Sequence, residues 1–312
     1  MSEAVLRLGT RGSPLALWQT EHVAARLQAR EPGLHVELVV IKTSGDKVLD
    51  VPLARIGDRG LFVKEIEEAL LAGRVDVAVH SLKDLPTRQP EGLRIGAVLA
   101  RADARDCLVS PRHASLDAMP AGAVIGTSSL RRRAQLQACF PGLRFEDVRG
   151  NLQTRLAKLD AGQYDALVLA VAGLERLGLQ ARVREPLPTD LSLPAVGQGA
   201  LAVECRTTDT STLARLAPLQ DAATLAEVTA ERSLLAALEG GCQVPIGAHA
   251  RVAGATLVLD AMVASLDGSV ILRARVAGDV AVADALGREA AEALHAQGAA
   301  AILAEVRRGA GA

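Results

Sequence analysis

Short apolar runs alternate with helix-periodic stretches through the first two thirds of the chain, and this alternation restricts it to an α/β architecture with a largely parallel sheet. Residues 5–8 read as a strand, 15–30 as a helix, 36–41 as a strand, 62–72 as a helix, and 75–79 and 93–99 as strands. The pattern then restarts with strand 124–126, helix 129–139, strand 143–146, helix 151–161 and strand 166–170. The junctions echo one another. Gly9-Thr10-Arg11-Gly12-Ser13 and Gly126-Thr127-Ser128-Ser129 each follow an apolar strand and open a helix, while Gly73-Arg74-Val75-Asp76 and Gly162-Gln163-Tyr164-Asp165 each close a helix and lead through Asp into a strand. The implied architecture is two α/β domains whose polar strand-to-helix loops face each other across a cleft. After Leu193-Pro194-Ala195-Val196-Gly197-Gln198-Gly199 and a strand over 200–204 the pattern changes: a long helix over 221–238, a hairpin of strands 256–263 and 269–276 around Asp267-Gly268, and a closing helix over 280–295. These elements form a third, smaller α+β domain.

Composition narrows the function. With 312 residues, 49% hydrophobic and 23% charged, the chain has the balance of a soluble globular protein of two or three domains. No long apolar segment follows the first residues, and runs such as 166–172 are too short to span a bilayer, so a cytoplasmic protein without a membrane partner is expected. Cys107, Cys139, Cys205 and Cys242 are scattered without a CxxC pair, which argues against a zinc site and a disulfide framework. The first three sit in apolar stretches and read as packing residues. A formal net charge of −1 and 2% aromatic residues disfavour a nucleic-acid partner. Only five of the 35 basic residues are lysine, and several arginines stand beside Gly, Ser or Asn at element ends.

Four loops carry residues that local structure does not demand. In Gly126-Thr127-Ser128-Ser129-Leu130-Arg131-Arg132-Arg133, with Ser128 or Ser129 as N-cap, backbone N–H groups, the helix dipole, hydroxyls and guanidinium groups converge on a place for anions. His80-Ser81-Leu82-Lys83-Asp84-Leu85-Pro86 follows a buried-type strand; Asp84 is either a turn cap or a catalytic acid, and His80 either a core histidine or part of the same site. Val148-Arg149-Gly150-Asn151-Leu152-Gln153-Thr154-Arg155 repeats the strand-end arginine theme, with Arg11 and Arg176 in comparable positions. In Glu239-Gly240-Gly241-Cys242-Gln243-Val244-Pro245, Gly240 or Gly241 ends the long helix and leaves Cys242 on a turn as a nucleophile or an attachment point.

Taken with Thr10-Arg11-Gly12-Ser13-Pro14-Leu15-Ala16, Gly60-Leu61-Phe62-Val63-Lys64-Glu65, Val79 to Asp84, Arg149-Gly150-Asn151 and 193–199, these motifs in this order resemble the hydroxymethylbilane synthase (porphobilinogen deaminase) family nearly end to end. The resemblance implies a monomeric transferase that joins four porphobilinogen molecules head to tail, releasing ammonia, on a dipyrromethane cofactor held by a thioether. It implies two periplasmic-binding-protein-like domains, residues 1–99 with 200–217 and residues 100–199, plus a third over 218–312. It assigns Cys242 to covalent attachment and Asp84 to catalysis. Lys83, Asp84, Thr127, Ser129, Arg131, Arg132, Arg149 and Gly150 are then expected at the cofactor. Arg11, Ser13, Gln19, Phe62, Ser81, Arg149, Arg155, Arg176 and Gln198 are expected at the substrate, and no metal is expected. Chemically, the acetate and propionate of every pyrrole call for many cationic partners, and a fixed carboxylate suits the electron-poor azafulvenium left by ammonia. Arg59, Gly9 and Leu82 depart from residues common in relatives. The rival readings are a two-domain anion-binding protein without chemistry, which needs neither Cys242 nor Asp84, and a nucleic-acid binder using Arg131 to Arg133.

Overall fold

A computed structural model describes residues 5–47, 63–239 and 244–310. In chain order the elements are β1 (Val5–Thr10), α1 (Pro14–Arg30), β2 (His35–Val40), α2 (Ser44–Lys47), α3 (Lys64–Leu71), β3 (Val77–Ser81), β4 (Leu93–Val98), β5 (Asp106–Val109), β6 (Val124–Gly126), α4 (Leu130–Cys139), β7 (Arg144–Glu146), α5 (Leu152–Asp160), β8 (Ala166–Ala170), α6 (Val171–Arg176) and β9 (Glu185–Pro186). They continue with β10 (Leu201–Arg206), α7 (Thr210–Leu216), α8 (Ala222–Ala237), β11 (Ile246–Ala253), β12 (Thr256–Ala264), β13 (Ile271–Asp279), α9 (Ala283–Ala296) and α10 (Ala299–Ala310).

The chain divides into two compact units, one holding the segments up to Arg101 with Ala200–Leu225, the other Ala102–Gly199 with the chain from Ala226. In the first unit the sheet order is β2-β1-β3-β10-β4. Strand β1 runs parallel to β2 and β3, and β10 enters antiparallel between β3 and β4. Apolar side chains at alternate positions explain the layering: Leu6, Leu8, Val77, Val79, Leu201 and Val203 are buried in one cluster with Val23 and Leu27 of α1. Each such side chain removed from water contributes about 1.5–3 kcal/mol. The second unit repeats the plan with order β7-β6-β8-β5-β9, again with one internal antiparallel strand, β5. It also carries the antiparallel meander β11-β12-β13, which buries Leu257, Leu259 and Val263 against Leu286, Ala290 and Leu294 of α9. At the tip of its second hairpin Gly268 has φ +72°, and a Cβ there would stand 2.3 Å from the Ala134 carbonyl oxygen, so the turn admits only glycine.

Several expectations shift. Strand β3 runs from Val77 to Ser81 instead of 75–79, because Asp76 is tied to Arg7 and pairing with β10 carries the ladder on to Leu201↔Ser81. His80 and Ser81 are therefore strand residues. Strands β5 and β11 and helix α10 add to the expected elements; β5 acquires its partners only from β8 and β9, far along the chain. Cys107 and Cys205 are buried as expected, and burial pushes their thiols up to about 12 and about 11, which makes both inert. Cys139, expected to pack, is instead exposed, as the last residue of α4.

Candidate active site

Site residues of the first unit gather where β1 and β3 meet the start of α1. Ser13 caps α1, its Oγ accepting from Ala16 N at 3.3 Å, with Pro14 in the first turn. Gln19, buried on that helix, donates from Nε2 to Ser81 Oγ at 2.9 Å. Beyond Ser81 the chain makes one 3₁₀ turn, Leu82–Asp84. Leu82 and Leu85 insert into the core, and Leu82 N bonds Ala200 O at 3.0 Å, so the turn is anchored on both sides and projects Asp84 outward as an exposed carboxylate. Arg11, Ser13, Gln19, His80, Ser81 and Asp84 all line one pocket. Lys83 belongs to the same turn.

In the second unit the helix-start loops hold the arginines. Ser129, not Ser128, caps α4, accepting from Arg132 N at 3.4 Å. Ser128 instead joins the two loops, donating to Val148 O at 2.7 Å and accepting from Val148 N at 3.1 Å. Thr127 is buried and its Oγ1 accepts from Ser129 N. Asn151 caps α5 through Thr154 N at 2.9 Å, and Arg155 Nε reaches back to Gly150 O at 2.8 Å. Gly150 sits at φ +112° with Thr154 Cγ2 2.6 Å from where a Cβ would be, so no side chain fits there.

Arg131 and Arg132 are not solvated. Both are buried, and they share Asp106, whose carboxylate is fully inaccessible. Arg131 Nη1 donates to Asp106 Oδ2 at 2.8 Å and to Leu193 O at 2.5 Å; Arg132 donates to Asp106 Oδ1 from Nε at 3.0 Å and from Nη2 at 2.6 Å, and to Val168 O from Nη1 at 2.9 Å. Ser192 Oγ and Gln198 Nε2 complete the shell at 2.9 and 2.8 Å. Burial alone pushes the Asp106 carboxyl up, yet the two guanidinium groups outweigh it and hold it well below the usual carboxylate range. Gln198, expected at the substrate, is 1% exposed and spends its amide on Asp106 and Ala104 O, because a carboxylate without water needs every nearby donor. Asp106 is not singled out in the sequence; Cys107 beside it reads as a packing residue, but an acid next to Arg105 reads as one that faces water.

Two guanidinium groups on one carboxylate leave an excess positive charge in a poorly hydrated place. Burial lowers Arg176 to about 10 despite Glu175, and its Nη2 donates to Gly199 O at 2.6 Å. Such buried, under-neutralised guanidinium groups fit the carboxylates of a polyacidic ligand. Arg149 lies between Val148 and Gly150 at the end of the Asp147 loop, with its carbonyl accepting from Lys158 Nζ at 3.2 Å. Cys242, Phe62, Arg59, Gly240 and Gly241 lie outside the described residues.

An exposed acid lining a pocket in the first unit and, in the second, arginine-rich helix starts are the features of an α/β protein that can bind anions. A family model described as porphobilinogen deaminase, dipyromethane cofactor binding domain, matches residues 6–214, and one described as porphobilinogen deaminase, C-terminal domain, matches residues 225–296. The chain belongs to the porphobilinogen deaminase family, the hydroxymethylbilane synthases: transferases of tetrapyrrole biosynthesis that form hydroxymethylbilane from porphobilinogen and release ammonia. Among solved structures it is similar to the periplasmic VFT2 domain of Bordetella pertussis BvgS (17% identity, 68% of this chain and 85% of that one, TM-score 0.41). It is also similar to an ABC-transporter periplasmic substrate-binding protein from Coxiella burnetii (16%, 73% and 96%, TM-score 0.43) and a YaeC-family lipoprotein from Enterococcus faecalis (14%, 69% and 91%, TM-score 0.44). No helix among the described residues is long and apolar enough to cross a membrane.

Proposed function

We propose that the chain assembles its product by stepwise addition of four porphobilinogen molecules to a dipyrromethane held as a thioether on Cys242, with Asp84 as the catalytic carboxylate. The observation that carries this reading is the anchored turn that presents Asp84 above the Arg11, Ser13 and Ser81 pocket. When bound, the dipyrromethane supplies the nucleophilic pyrrole carbon for the first addition. Thr127, Ser129, Arg131, Arg132, Arg149 and Gly150, with Lys83, hold its carboxylates; Arg131 and Arg132 do so with the N–H groups that Asp106 leaves over. Arg11, Ser13, Gln19, Phe62, Ser81, Arg149, Arg155, Arg176 and Gln198 bind and orient substrate, Gln198 acting through the Asp106 shell.

Asp84 accepts a hydrogen bond from the pyrrole N–H of the incoming substrate. The C–N bond of the protonated aminomethyl group breaks with its electron pair leaving on ammonia, and the ring nitrogen's lone pair satisfies the methylene carbon. The carboxylate stabilises the resulting azafulvenium in place of water. After C–C bond formation the α-carbon proton departs to the same carboxylate; release runs that step in reverse, the carboxylic acid returning a proton to the α-carbon as the C–C bond to the primer breaks, and water adds to the azafulvenium so freed, giving the hydroxymethyl group and one proton. The protein works as a monomer in the cytoplasm. Quantifying both products tests the stoichiometry: four ammonia per hydroxymethylbilane are expected, and a one-to-one ratio contradicts stepwise assembly.

Arg149→Lys keeps the charge and removes the planar fork. Single-turnover elongation is expected to slow about tenfold, with thermal stability unchanged, if Arg149 grips a carboxylate bidentately; unaltered elongation returns Arg149 to a solvated surface role.

A further inference from the structure

Three ionisable side chains meet in the dry layer between α3 and the sheet: Glu67 at 9% exposure, His80 at 5% and Glu204 at 0%. The β3–β10 register sets Ala202 opposite His80 and Glu204 opposite Ala78, so His80 and Glu204 share the sheet face on which α3 packs. His80 Nε2 stands 3.2 Å from Glu204 Oε2. Within ion-pair reach the geometry is still not that of a satisfied core: His80 Nε2, both Glu204 carboxylate oxygens and Glu67 Oε1 make no aligned hydrogen bond among the described residues. A purely structural polar cluster pairs such atoms or gives way to hydrocarbon at little cost. This one also reaches the chemistry, because His80 lines the same pocket as Asp84, Arg11 and Ser81.

We propose that Glu67 is a positioning residue of charge: through His80 and Glu204 it sets the electrostatic field of the Asp84 pocket, its carboxylate favouring the cationic pyrrole formed as ammonia leaves. This rests on the Asp84 pocket being where the chemistry occurs. Two carboxylates against one imidazole cannot all ionise cheaply without water. Burial first, then Glu204, push the Glu67 carboxyl up to about 7, with His80 opposing. The other charges on elements packed against α3 are matched or solvated: Arg7 of β1 pairs with Asp76, Arg206 of β10 pairs with Asp76 and Asp209, and Arg94 of β4 is exposed. On the pocket side the facing charges are Asp84 and Arg11. Below neutrality Glu67 is a neutral acid; above it the cluster gains one negative charge. Turnover therefore rises with pH through this range.

The test is kcat and KM for porphobilinogen across pH for the wild-type holoenzyme, Glu67→Gln, Glu67→Asp and Asp84→Asn. One unit charge acting across a protein layer of effective dielectric near 20 changes the rate by about tenfold. Wild-type kcat is expected to rise by that factor through an apparent pKa near 7, Glu67→Gln to stay flat at the low-pH level with KM within about twofold, and Glu67→Asp to restore the rise. A folded Glu67→Gln that keeps the wild-type rise overturns the proposal. If Glu67→Gln does not fold, infrared difference spectra of the wild type between about pH 6 and about pH 8 decide: loss of a protonated-carboxyl band is expected, and an unchanged band overturns the proposal. An active Asp84→Asn retires the pocket as the site of chemistry, whereas an inactive Asp84→Asn beside an unaltered Glu67→Gln profile retires only the role of Glu67.

Discussion

Asp84→Asn is expected to yield a folded protein that turns over porphobilinogen about 10²–10³-fold more slowly, the range associated with removal of one charge-stabilising, proton-accepting group. The substitution is isosteric, and Asp84 is exposed at the end of a turn held by Leu82, Leu85 and the Leu82 N to Ala200 O bond, so nothing in the core depends on its charge. What is lost is the negative charge and the ability to accept a proton. An amide still accepts a hydrogen bond from a pyrrole N–H, which is why binding survives: KM is expected to change far less than kcat. Steady-state kinetics with a circular dichroism melt read both quantities. Near-normal kcat in the folded variant contradicts the assignment.

Asp106→Ala is expected to have the largest effect on stability. It removes a fully buried carboxylate that two guanidinium groups, Ser192 and Gln198 all address, and leaves the buried Arg131 and Arg132 facing each other. Breaking a buried ion pair from one side costs about 3–5 kcal/mol. Chemical denaturation of the second unit is expected to begin at clearly lower denaturant, and the dipyrromethane content of the purified variant to fall with it. The pH dependence has a definite sign. Because the folded carboxyl lies well below its ordinary value of 3.8, its contribution is complete above that value and is lost as pH falls through it toward the folded pKa. The wild type should therefore lose stability steeply below about pH 4, and Asp106→Asn should show a shallower loss. A variant as stable as wild type across this range contradicts the network.

Much of this arrangement is legible in the residues before any coordinate is known. Strand 166–170 and helix 129–139 announce themselves through unbroken apolar character and a capped start; the structure gives β8 those bounds and starts α4 one residue later, at Leu130, with Ser129 as its cap. The strand-end loops bearing Asp84, Arg149 and Arg131 are visible because polar residues interrupt strongly patterned segments. Tertiary pairing hides the rest. Strand β3 extends to Ser81 only because β10, more than a hundred residues later, continues its ladder. Asp106 and Glu67 resemble ordinary surface acids in sequence; one is buried by Arg131 and Arg132, the other by packing of α3 on β3 and β10. Local patterning reports how a segment folds, whereas the charge environment of a buried acid is written in residues it meets only after folding.

The central claim, covalent attachment of the dipyrromethane through Cys242, is tested most directly by the intact mass of the purified protein under denaturing conditions, before and after incubation with porphobilinogen, beside Cys242→Ser. The expected result is a wild-type mass exceeding the polypeptide by two linked pyrrole units, with the excess absent from the variant. A bare polypeptide mass that persists after incubation, or the same excess on Cys242→Ser, contradicts the account.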